Sequence, residues 1–159
     1  MGNKTKARTG CRAGEVEAFS CFSSRCSSGI ANFYCFEPKK DKKGDISKHL
    51  EERKKGADGK DEITEKPNPN SCEVWRYGWE EKRPWAPRDF KFGRTMSTAC
   101  IIDGLVYISE LNGYLHCLDA ATGAMQWQYD TKASIWGSPL YVDGKILLAT
   151  DSGDVFVFK

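Results

Sequence analysis

The sequence predicts an all-β protein: a partial β-propeller, two to three four-stranded antiparallel blades of an incomplete ring. Three observations carry that prediction. Thr98–Leu118, moved along by 40 positions, falls on Ser138–Phe158 without a gap, and a period near 40 residues with several short strands per unit marks a propeller blade. Asp103-Gly104 and Asp143-Gly144 each stand between apolar runs, a strong signal for a two-residue hairpin turn in which both residues need φ > 0. The strands are apolar on both faces, whereas a sheet with one wet side alternates apolar with polar.

In the first copy the Asp-Gly turn sets Ile102 against Leu105, Ile101 against Val106 and Cys100 against Tyr107. A turn at Glu110–Gly113 then sets Ile108 against Leu115, Tyr107 against His116 and Val106 against Cys117. On that register Ile101, Val106, Ile108, Leu115 and Cys117 share one face. Cys100, Ile102, Leu105, Tyr107, Tyr114 and Leu118 share the other. The second copy sorts likewise, with Ile146, Leu148, Val155 and Val157 against Leu140, Val142, Leu147, Phe156 and Phe158. Such a meander needs a sheet packed on each side, as neighbouring blades supply. The connections are too short to hold covering helices.

Residues 1–31 are polar, with Lys4, Lys6, Arg8 and Arg12 ahead of a Ser/Cys-rich piece, and read as a disordered or poorly packed leader. They contain no apolar core of a secretory signal. The propeller is assigned to residues 32–159. Tyr34-Cys35-Phe36-Glu37 lies on His116-Cys117-Leu118-Asp119, and Val74-Trp75-Arg76-Tyr77 lies on Gln126-Trp127-Gln128-Tyr129. Residues 32–77 therefore read as the end of an earlier blade, split by a charged insert at 39–71. That insert is expected to be a solvated loop with one short helical turn around Lys48–Lys55.

A second insert, residues 78–92, mixes aromatic side chains with Arg and Pro. Two readings stand for it. Trp79, Trp85 and Arg88 form a recognition loop for a partner protein, tied to a rigid sheet; or the two tryptophans fold back to cover the end of the propeller. The segments leading into the next two blades, residues 93–98 and 133–138, approach the central channel in a propeller, which would place Arg94, Thr95, Ser134 and Trp136 there.

The chain has 159 residues, 40% hydrophobic and 29% charged, with formal charge +2. A charge so near balance makes no case for nucleic acid or an acidic membrane surface, and no apolar run of about 18 residues is present to span a bilayer. Cys11, Cys21, Cys26 and Cys35 have nine, four and eight residues between them, unlike the two close pairs of a zinc site. Cys100 and Cys117 fall on opposite faces in the register above, so they should not bridge; they read as small core residues.

Between the copies, Asp119, Thr122, Gly123 and Trp127 stand at fixed spacing after Cys117. Asp and Thr can hold the backbone of a turn, Gly takes φ > 0, and Trp is carried onto a fourth strand. Here the chain resembles the pyrroloquinoline-quinone-type propeller repeat, with Cys117 where Ala is usual. The resemblance implies that Trp127, and Trp75 before it, dock between blades as structural rivets. It also brings two functional expectations. The first is a non-enzymatic bacterial scaffold for protein partners, like the lipoprotein that helps assemble outer-membrane β-barrels, in the periplasm or cell envelope. The alternative is a fragment of a quinone-dependent dehydrogenase-type propeller. Those enzymes need a quinone in the channel, a calcium ion held by acid and amide oxygens, an Asp base and adjacent cysteines over the cofactor. The sequence has no Cys-Cys and no such acid/amide cluster, so no catalytic, cofactor or metal residue is assigned. Open blades leave faces and edges to cover, and the chain is expected to be part of a longer propeller or to assemble with copies of itself.

Overall fold

A computed structural model describes residues 17–19, 31–37, 41–56, 59–78 and 91–159. Among these residues there are strands and no helices. Three antiparallel sheets follow one another along the chain, and a separate hairpin is inserted between two strands of the first. The first sheet joins β1 (Glu17–Phe19), β2 (Phe33–Phe36) and β5 (Glu73–Tyr77) in the order β1-β2-β5. The second is a four-stranded meander of β6 (Cys100–Ile102), β7 (Leu105–Ser109), β8 (Tyr114–Asp119) and β9 (Met125–Asp130). The third joins β10 (Leu140–Val142), β11 (Lys145–Ala149) and β12 (Val155–Phe158). This is the architecture of a partial propeller.

The turns form for the reason the Asp-Gly pairs suggest. Asp103 and Asp143 take φ of 50° and 48°, and Gly104 and Gly144 take 77° and 73°, the left-handed pair of a type I′ turn. Cys100, Ile101 and Ile102 pair with Tyr107, Val106 and Leu105 as expected. The repeat also extends to hydrogen bonds. Leu111 N–H donates to Arg94 O and Asp151 N–H to Ser134 O; Gly113 N–H donates to Glu110 O and Gly153 N–H to Thr150 O.

The next ladder departs from the expected register by one residue. Tyr107 pairs with Cys117, Ile108 with His116 and Val106 with Leu118. The cause is the connection: Glu110 N–H donates to Tyr114 O at 2.9 Å, leaving Leu111, Asn112 and Gly113 as a three-residue loop. Gly113, at φ 92°, occupies the left-handed position that closes such a loop with a bulge. A side chain there would meet the Ala133 carbonyl oxygen at 2.5 Å. Because strand side chains alternate, one residue of slip exchanges the faces of all of β8. His116 and Leu118 therefore join Val106 and Ile108, while Leu115 and Cys117 join Tyr107. The third sheet carries the same correction, since Leu148 pairs with Phe156 and Leu147 with Val157.

Corrected in this way, the faces form two cores, one at each sheet junction. The first gathers Phe33, Cys35, Trp75, Tyr77 and Phe92 against Val106, Ile108, Leu118 and Ala120. The second gathers Leu115, Ile135, Ile146 and Leu148, with Tyr107, Trp127 and Phe158 against them. The middle sheet is thus covered on both sides by its neighbours. Cys100 and Cys117 both lie opposite Tyr107, on one face and not on opposite ones. They are nonetheless free thiols, because a whole strand separates them, about 10 Å at the usual spacing and beyond disulfide reach. Burial pushes both thiols up, so they stay protonated and behave as small apolar groups. Burial, with the Cys117 and Cys100 thiols alongside, also pushes the Tyr107 phenol up to about 12.

The charged insert is a β-hairpin, β3 (His49–Lys55) with β4 (Asp61–Pro67), where a loop with a helical turn was expected. Its strands are mostly exposed on both faces, so no apolar pattern betrays them. Cross-strand charge supports the pairing: Lys66 Nζ lies 2.8 Å from Glu52 Oε1. Exposed pairs of this kind contribute little, and an isolated hairpin is marginal. The base is clamped instead. Asn68, buried, donates from Nδ2 to Asp45 O at 2.9 Å and to Ser47 O at 2.8 Å, and Cys72 N–H donates to Ile46 O at 3.0 Å. Most of the 1–31 leader lies outside the described residues, but Glu17–Phe19 within it pairs with β2.

Candidate functional site

The junction of the first two sheets concentrates the chemistry of the described chain. It is built from the turn that follows β8. Asp119 Oδ1 accepts from Thr122 Oγ1 at 2.7 Å, from Thr122 N–H at 2.8 Å and from Ala121 N–H at 3.1 Å. Gly123, at φ 70°, completes the turn. A Cβ on Gly123 would stand 2.5 Å from Trp75 Cδ2 and 2.6 Å from Cε3, so the indole of the first sheet lies flat on glycine backbone of the second. Trp75 Nε1–H donates to Ala120 O at 2.9 Å. One tryptophan thus joins two blades through both its face and its only polar atom.

Trp75 and Trp127 occupy equivalent places. Cys35 pairs with Trp75 and Cys117 with Trp127, and each ladder shifts register immediately after the cysteine. Trp127 is half-buried, 5.9 Å from the Tyr107 ring and 5.6 Å from Phe158 in a stacked arrangement.

The Thr122 hydroxyl and amide hold the Asp119 carboxyl below the usual carboxylate range. A carboxyl lowered in the folded state stabilises the fold above its unfolded pKa, and that contribution is lost as pH falls through the folded value. Asp119→Asn should therefore flatten the acid limb of the stability–pH curve, read as denaturation midpoints between neutral pH and about pH 3. An unchanged acid limb would show that the turn holds without the charge.

Beside Trp75 lies a buried polar cluster that sequence reasoning did not assemble. Tyr77 Oη is 3.0 Å from His116 Nδ1, and His116 Nε2 is 3.6 Å from Glu110 Oε2. Glu110 also accepts from Gly93 N–H. Both Glu110 and His116 are fully buried, and Phe92 packs edge-on to the imidazole at 5.2 Å. The usable signal was the departure from the repeat, since Glu110 and His116 fall where the next copy has Thr150 and Phe156. The one-residue slip hid it by pairing His116 with Tyr107.

The first lead-in segment, residues 93–98, is held to β7 by short hydroxyl bonds. Thr95 Oγ1 donates to Ser109 O at 2.6 Å, and Ser97 Oγ donates to the same oxygen at 2.9 Å. Thr95 is buried, whereas Trp136 is 62% exposed. Trp79, Trp85 and Arg88 lie outside the described residues. No cluster of three or more metal-ligating side chains occurs among the described residues.

A family model described as outer membrane protein assembly factor BamB, of the pyrroloquinoline-quinone-type repeat class, matches residues 62–158, more than half of the chain. The chain belongs to this BamB-like family. Among solved structures it matches the crystal structure of BamB from Moraxella catarrhalis at 18% identity and a TM-score of 0.42. That match covers 91% of this chain and 42% of the BamB chain, so this chain spans less than half the length of that relative. No curated protein matches.

Proposed function

We propose that this BamB-like chain is a non-catalytic propeller scaffold that binds protein partners. The observation that carries the reading is the outer face of the third sheet. Leu140, Val142, Val155 and Val157 are 60%, 46%, 60% and 52% exposed, and their ladder partners place them together on the side away from the middle sheet. A rigid, stacked set of blades with a broad apolar face is a platform for another protein or a further blade. The name of the family, an outer-membrane assembly factor, supports the same reading. Trp79, Trp85 and Arg88 are the proposed partner-contacting loop, and Asp119, Thr122, Gly123, Trp75 and Trp127 the proposed structural motif that keeps the platform stiff.

The test pairs affinity capture with a folding measurement on W79S/W85S/R88S. Loss of a partner held by the unaltered protein, with the unfolding transition in place, supports the loop assignment. Loss of the transition makes these residues part of the core, and undiminished capture removes them from the contact.

A further inference from the structure

The hairpin β3–β4 and the outer face of the first sheet border a cleft of about 1000 Å³, lined by Asn32, Tyr34 and Arg76 from the sheet and by His49, Glu51 and Glu65 from the hairpin. Asn32 is only 6% exposed, and its Oδ1 accepts no hydrogen bond among the described residues. A buried acceptor left without a donor is costly, and native structures rarely keep one unless something else supplies the N–H.

The charge of the lining points the same way. Glu51 and Glu65 are direct partners across the hairpin ladder, where like charges repel. The basic side chains near them are loosely placed on the exposed hairpin: His49 Nδ1 is 3.7 Å from Glu65 Oε2, and Arg53 Nη2 is 3.6 Å from Glu51 Oε2. Arg76 is engaged on its own sheet, 3.3 Å from Glu73 Oε2 and 4.9 Å above the Tyr34 ring. Asp45 and Glu73 add two further carboxylates, against Lys48. The cleft therefore offers an unused buried acceptor and an acidic rim, and it has the size of a peptide-sized pocket.

We propose that this cleft binds an arginine-bearing peptide segment of a partner protein. One N–H of the segment donates to Asn32 Oδ1, and its positive charge lies at the Glu51–Glu65 rim. Arginine fits better than lysine because its planar fork brings several N–H donors and stacks on aromatic rings, as Arg76 already does on Tyr34. The nature of the occupant rests on the scaffold reading, but the site itself does not involve Trp79, Trp85 or Arg88.

The probe is the capped peptide Ac-Ala-Arg-Ala-Arg-Ala-amide, titrated while backbone amide shifts are followed by NMR. Saturable shifts should appear at Asn32, Tyr34 and residues 49–51 and 65. The citrulline version of the peptide, and the variants E51Q/E65Q and N32L, should each bind about tenfold more weakly, the loss expected for one charge-assisted hydrogen bond. The hairpin variant E51Q/E65Q alters exposed side chains, so it tests the site even if N32L fails to fold. Absence of saturable shifts, equal binding of the citrulline peptide, or full affinity in E51Q/E65Q would overturn the proposal. The residues altered here, Asn32, Glu51 and Glu65, are not those altered in the scaffold test, so failure here leaves the scaffold reading standing and failure there leaves this site standing.

Discussion

Trp75→Ala should lower the unfolding free energy by about 3–5 kcal/mol, the usual cost of deleting a buried aromatic side chain. The ring is 8% exposed, packs 5.8 Å from Phe33 and presses on the Gly123 backbone. Its N–H is also the donor to Ala120 O. Trp75→Phe keeps most of the ring and leaves that carbonyl without its donor, so about 1–3 kcal/mol should be lost. A double-mutant cycle isolates the contact between the sheets. Gly123→Ala alone meets the indole at about 2.5 Å, whereas in the Trp75→Ala background only the left-handed backbone cost of about 1–2 kcal/mol should remain. Urea unfolding of the four proteins checks this, and strict additivity would show that ring and turn do not hold one another.

Glu110→Ala should be of similar size, about 3–5 kcal/mol, because it breaks a buried pair and leaves its partner charge or dipole stranded. Gly93 N–H loses its acceptor, and His116 Nε2 loses the carboxylate 3.6 Å away. The repeat suggests the compensating change. Glu110→Thr combined with His116→Phe copies Thr150 and Phe156 from the next blade and should recover most of the loss, since replacing a buried pair by well-packed neutral groups is often neutral. Tyr77 Oη would still have Met125 Sδ at 3.3 Å. If the double variant is as unstable as Glu110→Ala, the buried pair holds the seam in a way a neutral pair cannot replace.

Much of the architecture was legible in the residues because it follows from local chemistry. Asp103-Gly104 and Asp143-Gly144 fix their turns by backbone preference alone, and the ladders beside the two Asp-Gly turns follow. The 40-residue shift reappears in hydrogen bonds as remote as Leu111 to Arg94 and Asp151 to Ser134. The alignment of Trp75 with Trp127 was readable for the same reason: each sits opposite a cysteine just before a register shift.

What only the tertiary structure decided is which atoms meet across the seams. Whether Glu110–Gly113 closes as a four-residue turn or as a three-residue loop with a bulge depends on Gly113 fitting beneath the Ala133 carbonyl, a contact from another segment of the chain. That single choice moved His116 from Tyr107 to Tyr77 and Glu110. The hairpin of residues 49–67 was equally hidden, because strands exposed on both faces carry no apolar period, and its base is clamped by Asn68 and Cys72 reaching back to Asp45, Ser47 and Ile46. Turn preference and repeat are properties of neighbouring residues and so are written in the sequence; register across a variable loop and the pairing of buried polar groups depend on distances between distant segments, which packing alone sets.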